Sequence, residues 1–172
     1  ELGTERDLQV LVLNRTLVDA LEKTVFDQFV EGVQTRIDTE VPPEARWLVM
    51  FPKLSGPELK SLRERWVALS SVKPWLQRWL AGPLTPMLET VTTEVDEAVP
   101  VVLTVARGRL TLRTALPEAR PEQLDIWLSR FEVALAEAQR VMAELPDVTA
   151  PRGASLPTGW GGTTSPGDLG PR

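Results

Sequence analysis

The 172-residue chain contains no cysteine, no histidine and no tyrosine. Without cysteine there is no disulfide and no thiolate nucleophile, and the redox setting leaves no mark on the sequence. Without histidine there is no imidazole proton shuttle and no Ser-His-Asp triad; with both residue types missing, zinc sites built from them are excluded. Bond-making chemistry would fall to carboxylates, Lys, Arg, Ser, Thr and backbone groups. No run of Asp and Asn has the spacing of a calcium loop, and neither a nucleophile elbow nor a dinucleotide fingerprint occurs. The segment "SGPELKS" lacks the Gly spacing of a phosphate loop. No cofactor and no metal are expected. Long apolar runs are also missing, none approaching the ~18 residues of a membrane span. No signal-peptide pattern opens the chain, which favours a cytoplasmic location, but the first residue is Glu1 rather than Met, so a processed or anchored precursor is compatible with it.

Positive charge is in short supply as well. Lys and Arg number 19 against 24 Asp and Glu, a net charge of −5. That opposes a general electrostatic grip on nucleic acid, which needs net positive surface. What is present is an ordinary globular allotment: 42% hydrophobic and 25% charged residues, enough for one domain with a sizeable core. Residues 5–145 read as that domain. Residues 146–172, "PDVTAPRGASLPTGWGGTTSPGDLGPR", read as a disordered Pro/Gly-rich tail, with too little apolar surface to offset ordering entropy. Its Trp160 is either a stray exposed aromatic or the anchor of a short linear motif.

The clearest stretch is "VLTVARGRLTLRTALPEARPEQLDIWL", residues 102–128. With Arg107 and Gly108 at the tip, a two-residue turn pairs Val105 with Leu110, Leu103 with Leu112 and Val101 with Thr114 on one face. Thr104 then faces Thr111, and Val102 faces Arg113, on the other. A one-residue slip would destroy this sorting, so the register of a hairpin over 100–116 is predicted. Gly108 supplies the positive φ of the turn. From Pro121 a long amphipathic helix follows, with Leu124, Trp127, Leu128, Phe131, Leu135, Ala138, Met142 and Leu145 as one stripe. Glu122, Asp125, Arg130, Glu132, Glu137, Arg140 and Glu144 lie mostly opposite. A lone hairpin is marginal in water, so further elements must flank it.

Upstream, Leu17, Leu21, Val25, Phe29 and Val33 predict a helix that ends before Pro42. "QVLVL" ahead of it is either the first helical turns or a short strand, and "RWLVMF" (46–51) reads as a buried strand or extended segment. Ser55 and Glu58 form a capping box that opens a helix whose face is Leu59, Leu62, Trp66 and Leu69. Pro74 restarts a short helix carrying Trp75, Leu76, Trp79 and Leu80, and Gly82-Pro83 stops it. Leu88, Val91 and Val95 suit a helix, although residues 91–95 also alternate as a strand would. The fold class expected is α+β: a small antiparallel sheet including the hairpin, covered by helices. A mostly helical domain with one hairpin arm is the alternative.

Candidate functional residues concentrate between Lys60 and Trp79. Arg63 and Arg78 interleave with Trp66, Trp75 and Trp79, a mixture that can hold phosphates and stack single-stranded bases. The same tryptophans sit on apolar stripes, where core packing is the ordinary role. Glu94, Asp96 and Glu97 could serve acid-base chemistry but read as a solvated helix face.

The hairpin ending "GRLTLRTALP", the spacer and the long amphipathic helix resemble the C-terminal part of type III secretion chaperone-like and YbjN-like domains. The resemblance implies a small, acidic, non-enzymatic protein that binds other proteins, commonly as a dimer. Those domains place a three-stranded β unit early, whereas residues 53–98 here read as mainly helical. A non-catalytic protein–protein interaction module, an adaptor, chaperone-like factor or assembly component, is therefore the first expectation. Its partner would be another protein or a second copy in a homodimer, and Arg63, Trp66, Trp75, Arg78, Trp79 and Trp160 are the candidate contacts. Single-stranded nucleic-acid binding ranks second and a carboxylate-based enzyme third.

Overall fold

The computed structural model describes residues 8–30, 47–116, 118 and 120–145. The expected tail, Trp160 and Val33 lie outside them. The fold is α+β. Its elements run β1 (Val10–Asn14), α1 (Arg15–Val30), α2 (Trp47–Met50), α3 (Gly56–Leu59) with a 3-10 turn over Lys60–Leu62, β2 (Trp66–Ser70), α4 (Lys73–Leu80), α5 (Leu84–Glu94), β3 (Val101–Ala106), β4 (Arg109–Thr114) and α6 (Pro121–Glu144). The four strands form one antiparallel sheet in the order β2-β1-β3-β4.

β1 is buried along its whole length because helices cover both sheet faces beside it. Val10 and Val12 enter the larger core, with Trp66 and Ala68 of β2, Leu103 and Val105 of β3, and the apolar sides of α4, α5 and α6. Leu11 and Leu13 enter a smaller core on the other face, with Val67 and Leu69 of β2, Val18 of α1 and Leu48 of α2. This double burial explains why "VLVL" carries no alternation: every position from Val10 to Leu13 is an inside position.

Two expected elements are corrected. Residues 66–70 are a strand, not the second half of a helix. The helix begun at Ser55 ends within about one turn, where Lys60 takes φ 52°, a left-handed value that stops propagation. The 3–4 spacing of Leu59, Leu62, Trp66 and Leu69 mimics a helical face, but pairing with β1 over Trp66↔Asn14 to Ser70↔Val10 wins. Residues 47–50 are one helical turn, not a buried strand, and Val49 (86%) and Met50 (67%) stand in solvent. The extended piece comes just after, where Lys53 bridges Leu69 at the β2 edge.

The capping box forms as read. Glu58 accepts from the backbone N–H of Ser55 (2.8 Å) and from its hydroxyl (2.7 Å). Its other oxygen lies 2.8 Å from Lys73 Nζ at the start of α4. The Lys73 ammonium, then the Ser55 donors, hold the Glu58 carboxyl down at about 2. The folded value lies below the unfolded one, so this contribution is present above about pH 4.5 and is lost as pH falls toward 2. Melting temperature measured across that window should drop less steeply for Glu58→Gln than for the natural chain. Equal slopes would show that the clasp does not feed stability.

The hairpin register holds pair by pair, from Ala106↔Arg109 to Val101↔Thr114. Both turn residues are left-handed, Arg107 at φ 51° and Gly108 at 71°, the primed turn that matches strand twist. α5 is helical, with Leu84, Leu88 and Val91 buried at i, i+4 and i+7.

α6 covers the sheet, but its stripe is rotated from the expected one. The line pressed fully into the core is Ala134, Ala138 and Val141, with Trp127, Leu135, Met142 and Leu145 partly buried beside it. Small residues win because Trp75 and Trp79 already fill the space beneath, and Trp79 Nε1 donates to the Ala134 carbonyl at 3.1 Å. The rotation carries Glu137, expected on the polar face, to 4% exposure. There it pairs with Arg140, against Gly82 in the α4–α5 turn. A Cβ at Gly82 would stand 1.9 Å from a Glu137 oxygen, so a side chain there would push the Glu137 carboxylate aside.

Candidate interaction surface

The structure separates the candidate residues of the 60–79 segment. Trp66, Trp75 and Trp79 are at most 1% exposed. Trp66 Nε1 donates to Thr92 Oγ1 at 2.9 Å, and the Trp75 and Trp79 rings pack tilted with centroids 5.2 Å apart. These are core residues, and they offer no stacking face to a base. The cations point the other way and are engaged. Arg63 pairs with Glu64, Lys73 with Glu58, and Arg78 with Glu144. Arg65 donates to the carbonyls of Thr92 and Val95 at the C-terminal end of α5, where a cation is favoured by the helix dipole.

The acidic trio is likewise dispersed. Glu94 pairs with Arg130, Asp96 Oδ1 accepts from the Ala98 N–H at 2.8 Å, and the Glu97 carbonyl accepts from Asn14 and Thr16. Among the described residues no cluster of carboxylates is placed to hold a metal ion. None of the described helices is long and apolar enough to cross a membrane.

Among the described residues the fold leaves apolar side chains uncovered at Val49 and Met50 of α2 and along the N-terminal half of α6. Leu124, Ile126 and Leu128 are 49%, 49% and 50% exposed. Ile126 borders a cleft of about 340 Å³ between the end of α5, residues 95–99, residues 115–116 and α6. The Arg130 guanidinium lies 4.7 Å from the centre of the Trp127 ring, is tied to Glu94, and is only 10% exposed. Leu124 and Leu128 lie on the flank turned away from α4 and α5. At 100° per residue they fall on the same side as Leu135 and Met142, opposite Glu137 and Ile126. Leu135 and Met142 share the larger core with Leu110 and Leu112 of the edge strand β4, which are only partly buried.

The tryptophans drew attention in the sequence because aromatic side chains among cations look like a binding surface. The uncovered surface had a fainter signal, Ile126, an apolar residue off the stripe and beside Asp125. Compared with known proteins, the chain matches no family model, no curated protein and no solved structure.

Proposed function

We propose that this chain is a non-catalytic protein–protein interaction module working through the first half of α6. One observation carries the reading: two large apolar side chains one turn apart on the same flank of α6, Leu124 and Leu128, stand about half exposed. Contiguous apolar surface of this kind marks interaction sites on soluble domains. The absence of Cys and His and the ion-paired state of the polar clusters agree with a binding role. Single-strand nucleic-acid binding through residues 60–79 is the weaker reading, since its stacking residues are interior.

The test compares tagged natural chain with Leu124→Glu/Leu128→Glu in pull-downs quantified by mass spectrometry, with light scattering alongside. Both positions face solvent, so the variant should keep its circular dichroism and melt within a few degrees of the parent. Bound protein, whether a partner or a second copy, should fall at least tenfold, since each charge would have to be buried unpaired. No association of any kind for the natural chain would sink the proposal.

A further inference from the structure

Among the described residues β4 is the outer strand of the sheet, and its backbone pattern follows from the turn. Ala106 and Arg109 close a two-residue primed turn and are therefore a hydrogen-bonded pair. Alternation makes Thr104↔Thr111 and Val102↔Arg113 hydrogen-bonded too. The N–H and C=O groups of Leu110, Leu112 and Thr114 consequently point away from β3, and none has a partner among the described residues. This edge carries no Pro and no bulge; its charged residues, Arg109 and Arg113, alternate with Leu110, Leu112 and Thr114 and so project from the sheet face opposite the core. α6 packs on the same face of the sheet as Leu110 and Leu112.

We propose that the occupant of this edge is β4 of a second copy, paired antiparallel about a twofold axis at Leu112, so that two four-stranded sheets join and the α6 flanks close over the seam. The inference rests on the interaction-module reading and names its partner. Self-complementarity selects the second copy. In this register Leu112 meets Leu112, Leu110 meets Thr114 and Thr111 meets Arg113 of the other chain, so no like charges stand directly opposite. α6 follows β4 through a short connection and shares a core with Leu110 and Leu112, so the proposed axis would also bring the exposed Leu124–Leu128 flanks of the two copies toward one another. Both layers thus meet their own image, as an isologous interface requires. The centre is uncharged although each chain carries a net charge of −5. A six-residue edge is about 20 Å long, and with one helix flank above it the face is on the order of 400 Å² in outline, which suits a weak, concentration-dependent dimer.

The chain has no cysteine, so one introduced thiol reports one site. Thr111→Cys, exposed on β4, should be cross-linked into a dimer by a short bismaleimide, whereas Glu89→Cys, exposed on α5, should not. Sedimentation equilibrium of the full chain through the micromolar range should give a dimer, and Leu128→Glu should weaken it by roughly tenfold or more without changing the far-ultraviolet spectrum. A monomer at every concentration overturns the self-pairing. So does a dimer that Leu128→Glu leaves intact or that links through Glu89→Cys rather than Thr111→Cys. The wider reading fails separately: if the chain is monomeric but a pulled-down protein is lost with Leu124→Glu/Leu128→Glu, the surface stands and only its occupant is wrong.

Discussion

Trp79→Ala should lower the unfolding free energy by about 3–5 kcal/mol, the range for removing a fully buried aromatic side chain. Trp79 is 0% exposed, packs on Trp75 and ties α4 to α6 through the Ala134 carbonyl. Three losses coincide: apolar burial, a cavity between two helices, and an interhelical hydrogen bond. A domain of this kind holds only about 5–15 kcal/mol in total, so the variant should unfold at far lower urea. Urea titration by circular dichroism is the measurement, since the substitution removes a fluorophore. A surface tryptophan waiting for a nucleic-acid base would change stability by about 0.5 kcal/mol or less, so the size of the effect decides between the two roles. Trp79→Phe should fall between, keeping most of the ring volume and losing the bond to Ala134.

Asn14→Ala should lose about 2–4 kcal/mol, although the side chain removed is small and polar. Asn14 is 1% exposed at the junction of β1 and α1. Its Oδ1 accepts from the Val101 N–H at 3.0 Å. Its Nδ2 donates to Thr16 Oγ1 at 2.8 Å and to the carbonyls of Glu97 (3.2 Å) and Val99 (3.3 Å). One amide thus fixes the approach of residues 97–101 to the central strand. Truncation leaves a buried backbone donor and two acceptors without that partner, and desolvated groups left unpaired are the expensive case. Asn14→Asp should be worse near neutral pH, because a carboxylate cannot donate to the two carbonyls and would be buried as a charge. Hydrogen exchange at the Val101 amide is the local check: Asn14→Ala should speed it. Unchanged protection there would mean that the amide is not the tie.

The sequence showed more of the fold than of the site. Its candidate contacts were chosen by residue type, and chemistry that looks like a surface, Trp beside Arg, turned out to be partitioned by depth. Trp66, Trp75 and Trp79 went inward, while Arg63 and Arg78 stayed out with their acidic partners. The uncovered half of α6 was hidden within a stripe that looked uniformly fit for burial. A stripe says which residues can be buried, not how much of it a neighbour reaches.

By itself the sequence determined the hairpin register, its turn, the capping box at Ser55, the break at Gly82-Pro83 and the extent of α6. Each is decided by residues a few positions apart, through backbone sterics, cap hydrogen bonds and periodicity. Only the tertiary structure decided that 10–14 and 66–70 are strands, that 47–50 is a turn of helix, that Ala134 and Ala138 lead α6 into the core, and that Glu137 is buried. Those outcomes depend on segments far apart in the chain. A strand buried on both faces shows no alternation, and a helix settles at the rotation its neighbours leave room for, here the one that sets alanines over two tryptophans.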